Sequence, residues 1–253
     1  MSNSRFLQVA NIGSFLLTII VNILANALPL NGRTTGEISD LYPSLITPAN
    51  YTFSIWGVIY ALLLVFIVYQ ALPKNREKNF LSRIGYLFAL SNIVNVIWIF
   101  LWHYDQIILS IIPMFVLLGS LIAIYLRLQI GKSNVPLKER LCVHLPFSVY
   151  LGWITVAPIA NVASALVSIN WDGWGISDVN WAIIVIIIAL IITLAVIFTR
   201  KDIGYSLVII WALAGIAVKQ MENQSIVMIA SAGAVIIAIA LILALVSSFL
   251  RRK

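Results

Sequence analysis

An all-α, polytopic membrane fold follows from three features of the 253-residue sequence: 62% of its residues are apolar, only 10% are charged, and its uncharged stretches recur at bilayer-spanning lengths. Soluble domains run at about 45–50% apolar and about 25% charged, so a water-soluble fold is excluded. Disorder is excluded too, because water could not solvate this much apolar surface. Cys142 is the single cysteine, which removes an internal disulfide framework and a cysteine-cluster metal site.

Crossing ~30 Å of hydrocarbon takes about 20 residues of helix. Eight uncharged runs serve: 6–28, 53–72, 84–102, 107–126, 141–167, 179–199, 203–218 and 226–250. The first follows Arg5, and its Ala25-Asn26-Ala27 looks like a signal-peptide cleavage site. Residues 6–24 already number 19, against about 7–15 for a signal h-region, so this segment is expected to persist as a span. Lys74 and Arg83 separate the second and third runs, Asp105 and Arg127 bound the fourth, Arg140 and Asp172 the fifth, and Asp178 and Arg200 the sixth. The seventh is the shortest. Its 16 residues reach ~24 Å at 1.5 Å per residue, so Lys201 and Lys219 have to snorkel toward the interfaces. The eighth ends at the basic tail 251–253.

Charge sets the orientation. With the N-terminus inside, fourteen of the sixteen Lys and Arg residues fall on the inner side, and only Arg33 and Lys219 lie outside. Glu37, Asp40, Asp105, Asp172, Asp178 and Glu222 lie outside with them. This is the positive-inside pattern, and an odd number of spans would break it by exporting the tail. Both termini are therefore expected in the cytoplasm, with the chain in the plasma membrane. The net charge of +7 marks topology and contact with anionic lipid, and no nucleic-acid partner is expected.

No Asp, Glu, Lys or Arg falls within a span, which argues against ion coupling. His103, Cys142 and His144 sit at span ends and read as interfacial. Two histidines on opposite sides of the bilayer cannot share a metal or a Ser-His-Asp site, so no catalytic residue and no metal ligand is nominated.

Uncharged polar and aromatic residues instead recur at helical spacing. The first span carries Asn11, Ser14, Thr18, Asn22 and Asn26 on one face. The second has Trp56 and Tyr60 next to Phe53. The third has Asn92, Asn95, Trp98 and Trp102. The fifth has Tyr150, Trp153, Ala157 and Asn161, with Pro158 expected to kink the helix. These stripes read either as interhelical glue or as the lining of a pocket for a flat amphipathic ligand. Trp171, Trp174 and Trp181 read as an interfacial aromatic belt. The last three spans offer packing surface: the sixth is aliphatic over residues 182–189, and the eighth spaces Ala230, Ala234 and Ala238 by four beside Gly233. Trp211, in the seventh, reads as core.

At these residues the sequence resembles the tryptophan-rich sensory protein family, whose animal members are called the translocator protein or peripheral-type benzodiazepine receptor. Pro48 and the segment through Trp56 and Tyr60 are similar to the family's Pro-x(6–8)-Trp-x-x-x-Tyr signature. Asn95-x-x-Trp98 is family-like, and Tyr150-Leu-Gly-Trp153-Ile-Thr-Val-Ala157-Pro-Ile-Ala-Asn161 is similar to the fifth-helix pattern, followed by Trp171-Asp-Gly-Trp174. The resemblance implies a five-helix ligand-binding bundle over residues 1–175, with residues 176–253 as a three-helix annex for packing or for a homodimer. It implies ligand contacts at Trp56, Tyr60, Asn95, Trp98, Trp153, Ala157 and Asn161, with the loop 29–50 as a lid. Ser54 stands where the family usually has Pro, and the aromatic-plus-basic cholesterol motif of animal members is missing.

The implied activity is that of a membrane receptor or sensor for a lipophilic small molecule of tetrapyrrole type, porphyrin or haem, with no required cofactor. A transporter of such ligands or of lipids, and a structural subunit without a ligand, are the competing readings. Partitioning from acyl chains into an apolar cavity gains little, so selectivity must come from directed contacts. Stacked rings and intramembrane hydrogen bonds together supply about 2–5 kcal/mol.

Overall fold

The computed structural model describes residues 2–28 and 30–250, and helices are its only regular structure. Pro29, where the expected lid begins, and the tail 251–253 lie outside the described residues. Eight apolar helices make up the bundle among the described residues: α1 (Ser2–Ala27), α2 (Ile55–Ala71), α3 (Leu87–His103), α4 (Ile107–Leu128), α5 (Leu145–Ser168), α6 (Asp178–Arg200), α7 (Ile203–Lys219) and α8 (Gln224–Leu250). Each expected span falls on one of them. Six are long and apolar enough to cross a membrane, and α3 and α7, at 17 residues each, reach about 25 Å. The chain is thus an integral, all-α, polytopic membrane protein.

Polar side chains decide which helices touch. The α1 stripe meets α3: Asn22 donates to Asn95 Oδ1 at 2.9 Å, Asn92 donates to Ser14 Oγ at 3.0 Å, and Thr18 donates to the Asn92 carbonyl at 3.1 Å. Asn11 donates to Gln70 of α2 at 2.9 Å, and only Asn26, at the end of the stripe, is exposed. For α1 the stripe is interhelical glue. Below it Phe66, Phe88 and Phe147 join α2, α3 and α5 edge-on, with centroids 5.0–5.6 Å apart.

Helix α5 is the hub, packed against α2, α4 and α7. It runs unbroken through Pro158. Its crossing with α7 is set by glycines: a Cβ on Gly152 would lie 3.0 Å from the Tyr205 carbonyl, and one on Gly204 would lie 2.8 Å from Ser148 Oγ. The eighth helix uses its small residues here as well, since Ala230 and Gly233 are buried and a Cβ on Gly233 would meet Leu213 of α7. That stripe is therefore occupied within one chain.

Asp202 fastens this arrangement from the basic end. It caps α7, accepting from the Tyr205 amide at 3.2 Å, and it also accepts from Tyr125 Oη of α4 at 2.7 Å and from Ser148 Oγ of α5. The residue is 7% exposed. Beside it Arg200 lies over the Tyr125 ring and donates to the Ile130 carbonyl at 2.9 Å. Hydrogen bonds to a charged group are worth about 1.5–3 kcal/mol each, and removing the acceptor leaves buried donors unpaired. Asp202→Ala is expected to destabilise the protein by about 3–5 kcal/mol, read as a lowered thermal midpoint in detergent, with Asp202→Asn losing less because its amide can still pair.

Candidate functional site

Residues 30–54, between α1 and α2, form a lid over one end of the bundle. It contains a short helix, Thr35–Leu41, started by a capping box in which Thr34 Oγ1 accepts from the Glu37 amide and Glu37 accepts from the Thr34 amide. A 3-10 turn, Asn50–Ser54, leads into α2.

Two helices hold the lid. At the end of α3, His103 Nδ1 lies 3.1 Å from the Leu30 carbonyl and Nε2 lies 3.1 Å from Thr35 Oγ1. A carbonyl only accepts, so Nδ1 carries a hydrogen and donates to Leu30, while Nε2 and the threonine hydroxyl share the second bond. Asn31 donates to the His103 carbonyl at 3.0 Å and Trp102 Nε1 to the Thr35 carbonyl at 3.2 Å. From α7, Trp211 Nε1 donates to the Thr52 carbonyl at 3.0 Å, Lys219 pairs with Asp40 at 2.7 Å, and the Gly215 carbonyl accepts from the Ala49 amide at 3.0 Å. A Cβ on Gly215 would sit 2.1 Å from Thr52 Oγ1, so a glycine is required. Trp211 is half-exposed against the lid, not in the core; His103 and His144 are buried among helices.

Beneath the lid, between α2, α3 and α5, lies a small hollow of about 30 Å³, room for one or two water-sized groups, so a larger ligand requires the rings or the lid to part. Four rings form a ladder beside it: Tyr60 on Trp56 (5.5 Å, 20°), Trp56 on Trp98 (6.4 Å, 28°), and Trp98 on Trp102 (5.7 Å, 24°). Trp153 stands edge-on to Trp56 at 6.3 Å and to Phe53 at 5.9 Å. Offset-parallel and edge-on pairs are the favoured geometries of aromatic quadrupoles.

Of the residues nominated from the sequence, Trp56, Trp98, Trp153, Ala157 and Asn161 line this hollow. Tyr60 and Asn95 do not; Tyr60 stacks under Trp56, and Asn95 receives the Asn22 amide. Asn161 is fixed at 2.7 Å by Trp98 Nε1, and its own amide donates to Ser110 Oγ of α4 at 2.9 Å. Thr35, Ser39 and Pro48 of the lid also line the hollow, with Trp102, Ala160 and Ser164. Trp102 was findable, lying one turn beyond Trp98. Two lining residues carry buried polar atoms without a protein partner, Trp153 Nε1 and Ser164 Oγ, and three more such atoms, Tyr60 Oη, Tyr150 Oη and Asn95 Nδ2, belong to the rings and amides below. Buried polar groups are ordinarily paired, so these five atoms mark a region of incomplete pairing at and below the hollow. Trp171, Trp174 and Trp181 pack on one another in the α5–α6 connection, with Trp174 76% exposed. Among the described residues no three His, Cys, Asp or Glu side chains lie together as a metal site.

Compared with known proteins, residues 8–244 match the model of a family described as TSPO-like protein, a match that takes in the last three helices as well. No curated protein and no solved structure matches the chain.

The lid latch gives a pH dependence. Partial burial pushes the Asp40 carboxyl up, but hydrogen bonds from Lys219 and Asn50 outweigh that and hold it below the usual carboxylate range. A carboxyl lowered on folding contributes stability above its unfolded pKa, and the contribution fades as pH falls through the folded value. Hydrogen exchange of amides 35–50, corrected for intrinsic pH dependence, is expected to rise only below about pH 4. In Lys219→Ala it should already be about 1.5- to 5-fold faster at neutral pH, the range for an exposed ion pair.

Proposed function

Because the chain belongs to the TSPO-like protein family, we propose that it is a membrane receptor for flat lipophilic molecules, tetrapyrroles such as porphyrin or haem among them, bound under the lid against the ring ladder. The observation that carries this reading is the pairing of stacked rings with unpartnered donors in one hollow, Trp153 Nε1 foremost. A ring ladder alone would be packing. Buried donors left free beside it supply the directed contacts that a bilayer-dissolved ligand needs, because moving it from acyl chains into the hollow gains almost no hydrophobic free energy.

Each residue has a role in this reading. Trp56, Trp98 and Trp153 offer faces and edges to a planar ring system. Trp98 and Ser110 fix Asn161, and Ala157 keeps the α5 wall low enough for a ring to lie on it. Tyr60 and Asn95 act from below, one supporting Trp56 and the other holding α1 in place. Helices α1–α5 form the binding bundle and helices α6–α8 brace it, with α7 supporting both α5 and the lid. By the positive-inside bias the lid faces outward across the plasma membrane and both termini are cytoplasmic.

Protoporphyrin IX added to the purified protein is expected to quench tryptophan fluorescence saturably. Trp153→Phe keeps a ring and removes a donor with no protein partner, and the space left by the smaller ring should lower its thermal midpoint only modestly, with the fold retained. Its affinity for protoporphyrin should fall about 3- to 15-fold, the worth of one intramembrane hydrogen bond. Equal titrations of wild type and Trp153→Phe would remove the hollow from the binding assignment, and vesicle uptake of the bound probe would turn the reading from receptor to transporter.

A further inference from the structure

At the basic end of the bundle, arginines from three separate segments stand near one turn of the chain. Arg83 closes the short helix Asn79–Ile84, which packs against α4. Arg127 lies in the last turn of α4, and Arg140 opens the π-helical turn Arg140–His144 that leads into α5. Gly85, at φ 56° and ψ −137°, bends the chain from the short helix toward α3 in a conformation that favours glycine. Arg127 Nη1 lies 4.0 Å from where a Cβ on Gly85 would stand. The charges of Arg83 and Arg140 both reach the ring of His144, which is buried behind them.

Among the described residues, none of these three guanidinium groups makes a hydrogen bond or an ion pair, whereas other basic groups at this end are engaged. Arg76 donates to Gln8 at 3.3 Å, Lys78 to Tyr69 Oη at 2.8 Å, and Arg200 to the Ile130 carbonyl. Nearby acids are engaged as well: Glu139 lies 3.9 Å from Lys78, and Asp202 accepts from Tyr125, Ser148 and the Tyr205 amide. Arg83, Arg127 and Arg140 are exposed, and each borders exposed apolar surface, at Tyr86, Leu126 and Leu141 respectively.

We propose that Arg83, Arg127 and Arg140 form a binding site for the anionic phosphate headgroup of a membrane phospholipid, with its acyl chains along the apolar surface beside them. Like charges held near one another repel until an anion joins them. A guanidinium fork grips two phosphate oxygens at once. A zwitterionic lipid brings its own ammonium to the phosphate, so the site prefers a lipid of net negative charge. Tyr86, Leu126 and Leu141 distinguish a lipid from a free phosphate, because they set hydrocarbon against the same molecule. The bound headgroup would join the α2–α3 and α4–α5 connections, which supply the three arginines.

Native mass spectrometry of the full chain in a neutral detergent, with lipid added, counts bound molecules without a charged bilayer surface. Dioleoylphosphatidylglycerol should be retained in preference to dioleoylphosphatidylcholine and should raise the thermal midpoint more. Arg83→Gln, Arg127→Gln and Arg140→Gln, taken singly, should each weaken its binding about fivefold, the worth of one basic residue at an anionic surface. Their lipid-free thermal midpoints should match wild type. Arg5→Gln removes an exposed arginine of α1 at the same end and should leave binding unchanged. Equal retention of the two lipids overturns the site, as does a loss in Arg5→Gln as large as in the other three. Inorganic phosphate that competes at the same concentration as the lipid would show that acyl chains play no part, and would overturn the lipid assignment.

Discussion

Hydrocarbon offers no hydrogen bonds, so every polar side chain on a membrane helix must find its partner within the protein, on another helix or on its own backbone, or leave a buried group unsatisfied. That constraint orders this bundle. Asn22 and Asn92 tie α1 to α3, Trp98 and Ser110 meet at Asn161 to join α3, α4 and α5, and Asp202 draws Tyr125, Ser148 and the start of α7 to a single carboxylate. Each bond is modest, averaging about 0.6 kcal/mol for neutral pairs in a membrane. Their value is selective: an aliphatic face packs equally well in many registers, whereas an amide that must reach one particular amide accepts few.

The same constraint explains why the candidate site stands out. Most interior polar atoms have partners, and several of those without one gather where the rings gather. Asn22 and Asn95 satisfy each other only in part, leaving Asn95 Nδ2 over, and Tyr60 and Tyr150 bring hydroxyls into the same region without closing the network. Fully paired, this cluster would be a rigid plug. In the receptor reading proposed above, the donors to spare are what a solute carrying acceptors would meet.

The sequence made the spans legible because length and charge are local properties: each of the eight runs is bounded by ionisable residues, and each falls on one helix. The stripes were legible for a similar reason, since helical spacing places Trp56 and Tyr60, or Trp98 and Asn95, on shared faces. What each face meets is not local. Asp202 reads as an ordinary loop acid until Tyr125 and Ser148 arrive from 77 and 54 residues away. His103 reads as an interfacial residue until Thr35 and Leu30 fold over it from 68 and 73 residues away. The α1 stripe and the α5 stripe share helical spacing, yet the first is spent on α3 and α2 and the second lines a hollow through Trp153, Ala157 and Asn161. Which outcome applies depends on how closely the neighbouring helix approaches, and glycines set that distance elsewhere in the chain.

Glycine placement is thus the feature that links the last helices to the site. Gly152 and Gly204 let α7 lie against α5, and Gly215 lets the lid's Thr52 rest on α7. A side chain at any of these positions would push α7 outward, and two things would follow together: the α5 wall would lose its backing, and the lid would lose the anchors at Trp211 and Lys219. The lid is therefore held from both sides, by α3 through His103 and by α7 through Trp211 and Lys219, while the rings it covers belong to neither latch except at Trp102. The ring ladder therefore does not depend on the α7 latch for its geometry.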